Sequence, residues 1–282
     1  MSAGGADLPG FLGIGALKAG TTYLDAMLRD HPQLCLPAGI KEVEFFNRHH
    51  DRGPVWYQQQ FRGCSDRLRG EVSPQYLFDP KVAGRISELI PEARLLVSVR
   101  DPVRRAYSQY KHWVQETGYG QSFDQFLTDH PGAVDRGRYF SCLRPYLDTF
   151  DRDQILILVF DDLIGQPLAT MRQVYAFVGV DARHTPAAAG QQVYPSAPPR
   201  FHRGYVAAKR VSRRCRQWGL AGVIATGKRA GLGRAFRPSG REPSFAVLLP
   251  DTARRLADGY ADDVASLSGL LGRDLSALWS ST

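Results

Sequence analysis

Three apolar runs alternate with helix-like segments along the chain, and this alternation constrains the fold more than any other feature. The runs are FLGIGA (11–16), ARLLVSVR (93–100) and QILILVFDDL (154–163). Near-continuous apolar character is typical of a parallel strand that is covered on both faces. Strands separated by helices form a parallel sheet through right-handed crossovers. The sequence therefore predicts an α/β fold, a single domain with a central parallel sheet flanked by helices.

A helix is predicted after each of these runs. In 21–31, apolar residues recur at helical spacing, and Pro32 ends the helix because proline disfavours a helical conformation in the residue before it. After the second run, Asp101 followed by proline can cap and start a helix that extends through Val114. The third run is followed by a helical stripe in 166–180. A short strand is expected at QLCLP, between the first helix and the second run.

The chain divides into a core, a basic segment and a C-terminal segment. The core spans residues 10–181, and the segment 182–245 that follows it is strongly basic. Residues 199–241 hold twelve Arg or Lys and no Asp or Glu, whereas the net charge of the whole chain is +8. Such a block can form a lid over an anionic ligand, meet a nucleic acid or a membrane surface, or form a solvated helix face. Residues 246–282 predict a final amphipathic helix, whose apolar side holds Leu256, Tyr260, Val264 and Leu267.

The cysteines and the N-terminal residues bear on the compartment. The first ten residues lack a basic region followed by an apolar stretch, and no eighteen consecutive apolar residues occur anywhere. The sequence therefore predicts neither a secretory signal nor a transmembrane segment, while peripheral membrane contact stays open. No C-x-x-C pair occurs, so neither a zinc site nor a disulfide framework is predicted, and a cytoplasmic location is expected. The four cysteines are Cys35, Cys64, Cys142 and Cys215.

A glycine-rich turn joins the first strand to the first helix. Residues 15–22 read GALKAGTT, and a turn of this kind directs backbone N–H groups and the positive end of a helix dipole at an anion. In nucleoside triphosphatases the lysine follows the last glycine and a Ser or Thr holds magnesium. Here Lys18 precedes Gly20. The turn predicts a phosphate site without the triphosphate and magnesium arrangement; a glycine turn with no ligand is the alternative.

A second phosphate-binding feature lies at the end of the second predicted strand. Arg100 is its last residue, and Ser108 follows about two helical turns later. A guanidinium fork and a hydroxyl can bind one phosphate monoester together. The alternative is that Arg100 pairs with Asp101 or another carboxylate.

Two of these segments together resemble a known family. GALKAGTT and SVRDPVRRAYSQY are similar to the two nucleotide-binding signatures of sulfotransferases that use 3′-phosphoadenosine 5′-phosphosulfate (PAPS) and release adenosine 3′,5′-bisphosphate (PAP). The resemblance implies that Arg100 and Ser108 hold the 3′-phosphate, and it implies no metal. It also implies that the first loop holds the 5′-phosphosulfate through Lys18, Ala19, Gly20, Thr21 and Thr22.

Further segments resemble the heparan-sulfate-type branch of that family and its bacterial relatives. They are KEVEFF (41–46), GEVSPQYLF (70–78) and the long stretch 137–163, so that the resemblance covers about 11–181. Two positions depart from the glycosaminoglycan-modifying members: Val72 stands where lysine is frequent, and Glu44 where histidine occurs. Recognition of a heparan-like acceptor is therefore not implied.

The resemblance also implies the catalytic roles. Glu42 in KEVEFF is the expected base for the acceptor, and Lys18 is expected to stabilise the leaving phosphate. His112 is the alternative base, because the cytosolic branch uses a histidine. Arg200 and Arg203 are expected to add contacts to PAPS. Predicted acceptor contacts, for several of which a cap or core role is equally open, are Lys41, Phe46, Ser73, Tyr76 and Tyr139.

The expected function is sulfuryl transfer to a hydroxyl, or with less support an amine, of a small-molecule, glycolipid or saccharide acceptor. A nucleotide kinase with a phosphate loop is the rival enzyme, but it requires lysine after the last glycine and a magnesium carboxylate. A nucleic-acid-binding protein using the basic block 199–241 is the rival without catalysis, although nucleic acid is not the expected partner. The sequence contains 30 arginines and 6 lysines, which indicates a bacterium of high GC content. It predicts neither the acceptor nor the oligomeric state.

Overall fold

The computed structural model of the chain describes residues 8–64, 66–187, 189 and 245–280. A sheet of five parallel strands runs through the described part, in the order β2-β3-β1-β4-β5. The strands are β1 (Phe11–Gly15), β2 (Leu34–Cys35), β3 (Leu68–Val72), β4 (Arg94–Val99) and β5 (Ile155–Val159).

Helices occupy the connections between the strands. Between β1 and β4 they are α1 (Thr21–Asp30), α2 (Phe45–Arg48), α3 (Gly53–Gln58) and α4 (Lys81–Leu89). Between β4 and β5 they are α5 (Pro102–Thr117), α6 (Phe123–Asp129), α7 (Gly132–Asp135) and α8 (Tyr139–Leu147). After β5 they are α9 (Phe160–Gly165), α10 (Pro167–Val178), α11 (Pro250–Leu271) and α12 (Leu275–Ser280).

The sheet separates two apolar clusters, one on each face, which explains the near-continuous apolar runs in β1, β4 and β5. Along β4, for example, Leu95 belongs to one cluster and Leu96 to the other. The predicted α/β architecture is confirmed. Because all strands are parallel, the loops that follow β1, β3 and β4 leave the sheet at one edge.

Local sequence signals set the start and end of two helices as predicted. Asp101 caps α5, and its carboxylate accepts from the amides of Val103 and Arg104 at 2.8 and 3.3 Å. Helix α1 ends at Asp30, and its C-cap His31, the residue before Pro32, is extended.

Two strand predictions need correction. The third run does not remain extended to residue 163, because β5 ends at Val159 and the chain turns into α9 at Phe160. Asp161 and Asp162 lie in the first turn of α9, where the helix dipole favours acidic side chains. Arg100 lies one residue beyond β4 instead of within it.

The prediction of no disulfide is wrong. Cys35 at the end of β2 and Cys64 form a disulfide with a Cα–Cα distance of 5.6 Å and a sequence separation of 29. The two cysteines meet because β2 pairs with β3, Leu34 lying opposite Leu68. The cysteines therefore give no support to a reducing compartment.

Some predictions fall on residues that the structure does not describe. Arg200, Arg203 and nearly all of the basic segment 182–245 lie outside the described residues. Within the described ranges, no helix is long and apolar enough to cross a membrane.

Candidate functional site

The loop between β1 and α1 has a backbone that only particular residues allow. Gly20 has φ of 86°, and a Cβ at this position would lie 2.8 Å from the ring of Phe160. Ser98 of β4 holds the loop through two hydrogen bonds. Its carbonyl accepts from the amide of Ala16, and its hydroxyl donates to the carbonyl of Ala19. The small residues and the positive φ therefore place the loop tightly over the sheet edge.

This loop leads directly into α1, which begins at Thr21. The first amides of a helix have no intrahelical acceptor, and the helix dipole adds positive charge at the same place. Thr21 is buried and Thr22 is half-buried at this end. The arrangement is the one that binds phosphate and sulfate groups through backbone N–H donors.

Three cationic side chains surround the loop. Burial, and then the positive charges of Lys41 and Arg100, lower the pKa of Lys18 to about 8. The guanidinium of Arg100 lies 4.5 Å above the ring of Phe160, and its Nη1 is 3.5 Å from the carbonyl oxygen of Lys18. Burial also lowers the pKa of Arg100. Like charges held this close repel one another, so the cluster favours an anionic ligand that carries several negative charges.

Glu42 is linked to the loop by a lysine. The ammonium of Lys41 donates to the hydroxyl of Thr22 at 2.6 Å and to Oε1 of Glu42 at 3.3 Å. The side chain of Glu42 keeps 33% of its surface exposed, so its carboxylate remains accessible from solvent. The structure therefore brings together Lys18, Lys41, Glu42 and the start of α1.

The neighbouring carboxylate has different surroundings. Glu44 pairs with Arg48 at 3.4 Å, and burial raises its pKa. Glu44 also has φ of 53°, a left-handed conformation that is uncommon for a residue with a side chain.

Several residues predicted to contact an acceptor lie in the interior. Phe46, Ser73, Tyr76 and Tyr139 are fully buried. The hydroxyls of Ser73 and Tyr76 donate to Glu71, at 2.7 and 2.8 Å. Of the five predicted acceptor contacts, Lys41 alone keeps a partly exposed side chain.

The two remaining predicted residues are both on α5. Ser108 is half-buried two turns from the start of the helix, and His112 is exposed one turn further on. The residues that the sequence analysis missed are Glu71 and its partner Tyr57, which donates to it at 2.6 Å. Glu71 lies in the segment GEVSPQYLF that resembles the family, but no role was assigned to it, because its charge only interrupted a weak strand pattern.

The site can therefore hold an anion at the start of α1 and a second one near Arg100, with a carboxylate beside the first. In the described ranges, no group of three or more His, Cys, Asp or Glu side chains is arranged to hold a metal ion.

Comparison with known proteins gives a consistent result. The sequence model of the sulfotransferase domain family matches residues 10–192. A crystal structure of a sulfotransferase from Alicyclobacillus acidocaldarius superposes with a TM-score of 0.70 at 26% sequence identity, covering 97% of this chain and 99% of that one.

Curated relatives are similar over shorter stretches. The heparan sulfate glucosamine 3-O-sulfotransferase 3B1 of Mus musculus is 31% identical over 188 residues, which are 63% of this chain and 48% of the relative. The membrane-associated sulfotransferase kil1 of Dictyostelium discoideum is 38% identical over 112 residues, 38% of this chain and 24% of the relative. The chain thus spans less than half the length of either relative.

Proposed function

The chain belongs to the sulfotransferase family, and from this we propose that it transfers a sulfuryl group from PAPS to a hydroxyl, less readily an amine, of a small-molecule, glycolipid or saccharide acceptor. The observation that carries the proposal is the cluster in which Lys41 joins the start of α1 to Glu42 while Lys18 and Arg100 lie beside it. This cluster combines anion binding with an accessible carboxylate.

The residues present fit PAPS at both phosphate positions. We assign the 5′-phosphosulfate to the loop residues Lys18 to Thr22, because the first amides of α1 offer donors and the charges of Lys18 and Lys41 lie at the same place. We assign the 3′-phosphate to Arg100 and Ser108. The side chain of Arg100 is half-buried, and its charge-assisted hydrogen bonds are stronger there because less water competes for them.

Two side chains carry the chemistry. PAPS supplies a sulfuryl group that is already activated by its bond to phosphate. Glu42 accepts the proton of the acceptor hydroxyl as the new S–O bond forms. The S–O bond to the phosphate breaks, its electron pair stays with PAP, and the ammonium of Lys18 stabilises that charge.

Position 72 on β3 bears on the acceptor class. The relative from Mus musculus is named for heparan sulfate glucosamine. Here Val72 is fully buried and packs against the backbone of Gly13, so β3 offers no cation to a sulfated acceptor at this position. We therefore propose a hydroxyl acceptor that carries less negative charge than heparan sulfate.

The experiment measures transfer of radioactive sulfate from PAPS to a panel of a desulfated heparan oligosaccharide, a glucosyl lipid, p-nitrophenol and water. Glu42→Gln should lower the rate with the best acceptor at least about 100-fold, because general base catalysis typically contributes that much or more. PAP affinity should not change, because Gln keeps the size of the side chain.

Glu92→Gln is the matched control. Glu92 is an exposed carboxylate just before β4, at the opposite edge of the sheet, and its replacement should leave the transfer rate unchanged. Wild-type transfer by Glu42→Gln would remove Glu42 as the base, and transfer to no compound in the panel would contradict the proposed acceptor classes.

A further inference from the structure

A buried carboxylate lies beneath the segment 41–46. Glu71 of β3 has no exposed surface, and three hydroxyl groups donate to it. Tyr57 and Tyr76 donate to Oε1 at 2.6 and 2.8 Å, and Ser73 donates to Oε2 at 2.7 Å. Burial raises the pKa of Glu71, and the three hydroxyl donors oppose that rise.

Two of these hydroxyls also accept from the backbone of the segment. The amide of Glu44 donates to Ser73 at 3.1 Å, and the amide of Phe46 donates to Tyr76 at 3.3 Å. The amide of Val43 bonds to the carboxylate itself. Three backbone amides of 43–46 therefore connect to one carboxylate, directly or through one hydroxyl, and such chained hydrogen bonds strengthen one another.

The third hydroxyl donor fixes the same segment through its ring. Tyr57 stacks on Phe45 with centroids 4.3 Å apart and an interplanar angle of 7°, and it meets Phe46 edge to face at 5.3 Å. The left-handed φ of Glu44 also requires support, because a residue with a side chain does not stay in this region without it.

Burying a carboxylate costs desolvation free energy, and apolar residues of similar size would stabilise the core equally well. What the carboxylate adds is a fixed position for every donor around it. Here the donors either belong to the segment 43–46 or contact it, and this segment follows Glu42 directly.

We propose that Glu71 is a positioning residue for sulfuryl transfer, which holds the segment 41–46 so that Glu42 faces the loop between β1 and α1. Glu71 acts through Glu42 and touches no substrate. The proposal rests on Glu42 being the base, as argued under the proposed function. It explains why the segments KEVEFF and GEVSPQY, which are distant in sequence, form one structural unit.

The first test is amide hydrogen exchange of the full chain with PAP bound, followed by mass spectrometry. Glu71→Gln and Tyr76→Phe should each speed exchange in 43–46 at least about tenfold, because local opening becomes easier when the shared acceptor or the relay hydroxyl is lost. Exchange in 16–24 should stay unchanged. Tyr76→Phe keeps the test decisive even where Glu71→Gln does not fold.

Tyr175→Phe is the matched control for the loss of a buried tyrosine hydroxyl. Tyr175 is fully buried and donates to the carbonyl of Met27 at 2.9 Å, away from the segment 41–46. Its replacement should leave exchange in 41–46 as in the wild type. Unchanged exchange in that segment in both Tyr76→Phe and folded Glu71→Gln would overturn the proposal.

The second test is a double-mutant cycle, measured as sulfate transfer to the best acceptor of the panel. Glu71→Gln alone should lower kcat about 10- to 100-fold, because small misplacement of a reacting group costs this much. The Kd for PAP should change less than about twofold, because a larger change would require Glu71 to take part directly in donor binding. In the Glu42→Gln background, Glu71→Gln should lower the rate by less than about twofold, because residues that act as a unit are not additive.

The outcomes separate the two proposals. Equal losses from Glu71→Gln in both backgrounds would assign Glu71 to fold stability and overturn the positioning role. Full activity of Glu42→Gln alone would instead contradict the base assignment, while hydrogen exchange would still decide whether Glu71 holds the segment.

Discussion

Among single residues, Lys18 is the side chain on which we expect donor binding to depend most. Burial, together with the nearby positive charges of Lys41 and Arg100, lowers the pKa of Lys18 to about 8. An anion beside it reverses this effect, because the charged form of Lys18 is then stabilised. Donor binding should therefore be coupled to the protonation of Lys18.

PAP affinity should be constant below pH 8 and fall as the pH rises above it. Lys18 is charged below its pKa of about 8 in the free protein and must take up a proton to bind PAP above that pH. Calorimetric titrations between pH 6.5 and 10 measure this change, and titrations in two buffers measure the proton uptake.

Lys18→Arg serves as the control, because a guanidinium stays charged throughout this pH range. Its PAP affinity should not fall between pH 8 and 10. A wild-type protein whose affinity is equally flat over that range would show that the charge of Lys18 does not contribute to donor binding.

Gly20 sets the shape of the loop between β1 and α1. In Gly20→Ala the new methyl group would lie 2.8 Å from Phe160 at a φ of 86°. We expect a loss of about 1–3 kcal/mol in the free energy of unfolding, since a strained backbone costs this much, and a loss of PAP binding. Urea unfolding and calorimetry measure the two effects.

Gly272→Ala separates backbone strain from the clash. Gly272 has φ of 62° with no atom within 4 Å of the added Cβ, and it lies at the end of α11. This variant should lose stability but keep PAP affinity. Wild-type affinity in Gly20→Ala would mean that the loop does not bind the donor.

At the scale of elements, local signals were sufficient where one segment determines its own structure. The apolar run and the glycine turn predicted β1 and the start of α1, and Asp101 predicted the start of α5. Strand β3 was missed because Arg69 and Glu71 interrupt its apolar pattern, and the burial of Glu71 depends on hydroxyl donors elsewhere in the chain. The disulfide was missed for the same reason, since β2 and β3 first have to pair.

The disulfide should stabilise the segment that carries Glu42. Cys35 and Cys64 close a loop with a separation of 29 residues, for which loop-closure entropy gives about 3–4 kcal/mol. The variant Cys35→Ser/Cys64→Ser should therefore unfold at a lower urea concentration than the wild type. Dithiothreitol should lower the urea midpoint of the wild type to that of the variant.

Cys142→Ser is the control for this prediction. Cys142 is a half-buried free thiol in the first turn of α8, so Cys142→Ser removes a thiol without breaking the disulfide and should lower the urea midpoint much less than the double variant. Equal midpoints for the wild type and the double variant, with and without reductant, would show that this disulfide does not form in solution.

At the scale of the whole molecule, the site is assembled from segments that are far apart in sequence. The sequence predicted the members at the ends of β1 and β4, because parallel strands bring such ends to one edge of the sheet. It could not predict that Ser73 and Tyr76 face Glu71 in the interior, because this depends on how the segment 41–46 folds over β3.

We expect Arg100 to bind the 3′-phosphate that distinguishes PAP from adenosine 5′-monophosphate, and calorimetry with these two nucleotides measures its contribution. PAP should bind at least about tenfold more tightly, because hydrogen bonds to charged groups contribute about 1.5–3 kcal/mol. Arg100→Ala should remove most of this difference, whereas Arg172→Ala, on the exposed side of α10, should keep it. Equal affinities for the two nucleotides in the wild type, or an undiminished difference in Arg100→Ala, would show that Arg100 does not recognise a 3′-phosphate.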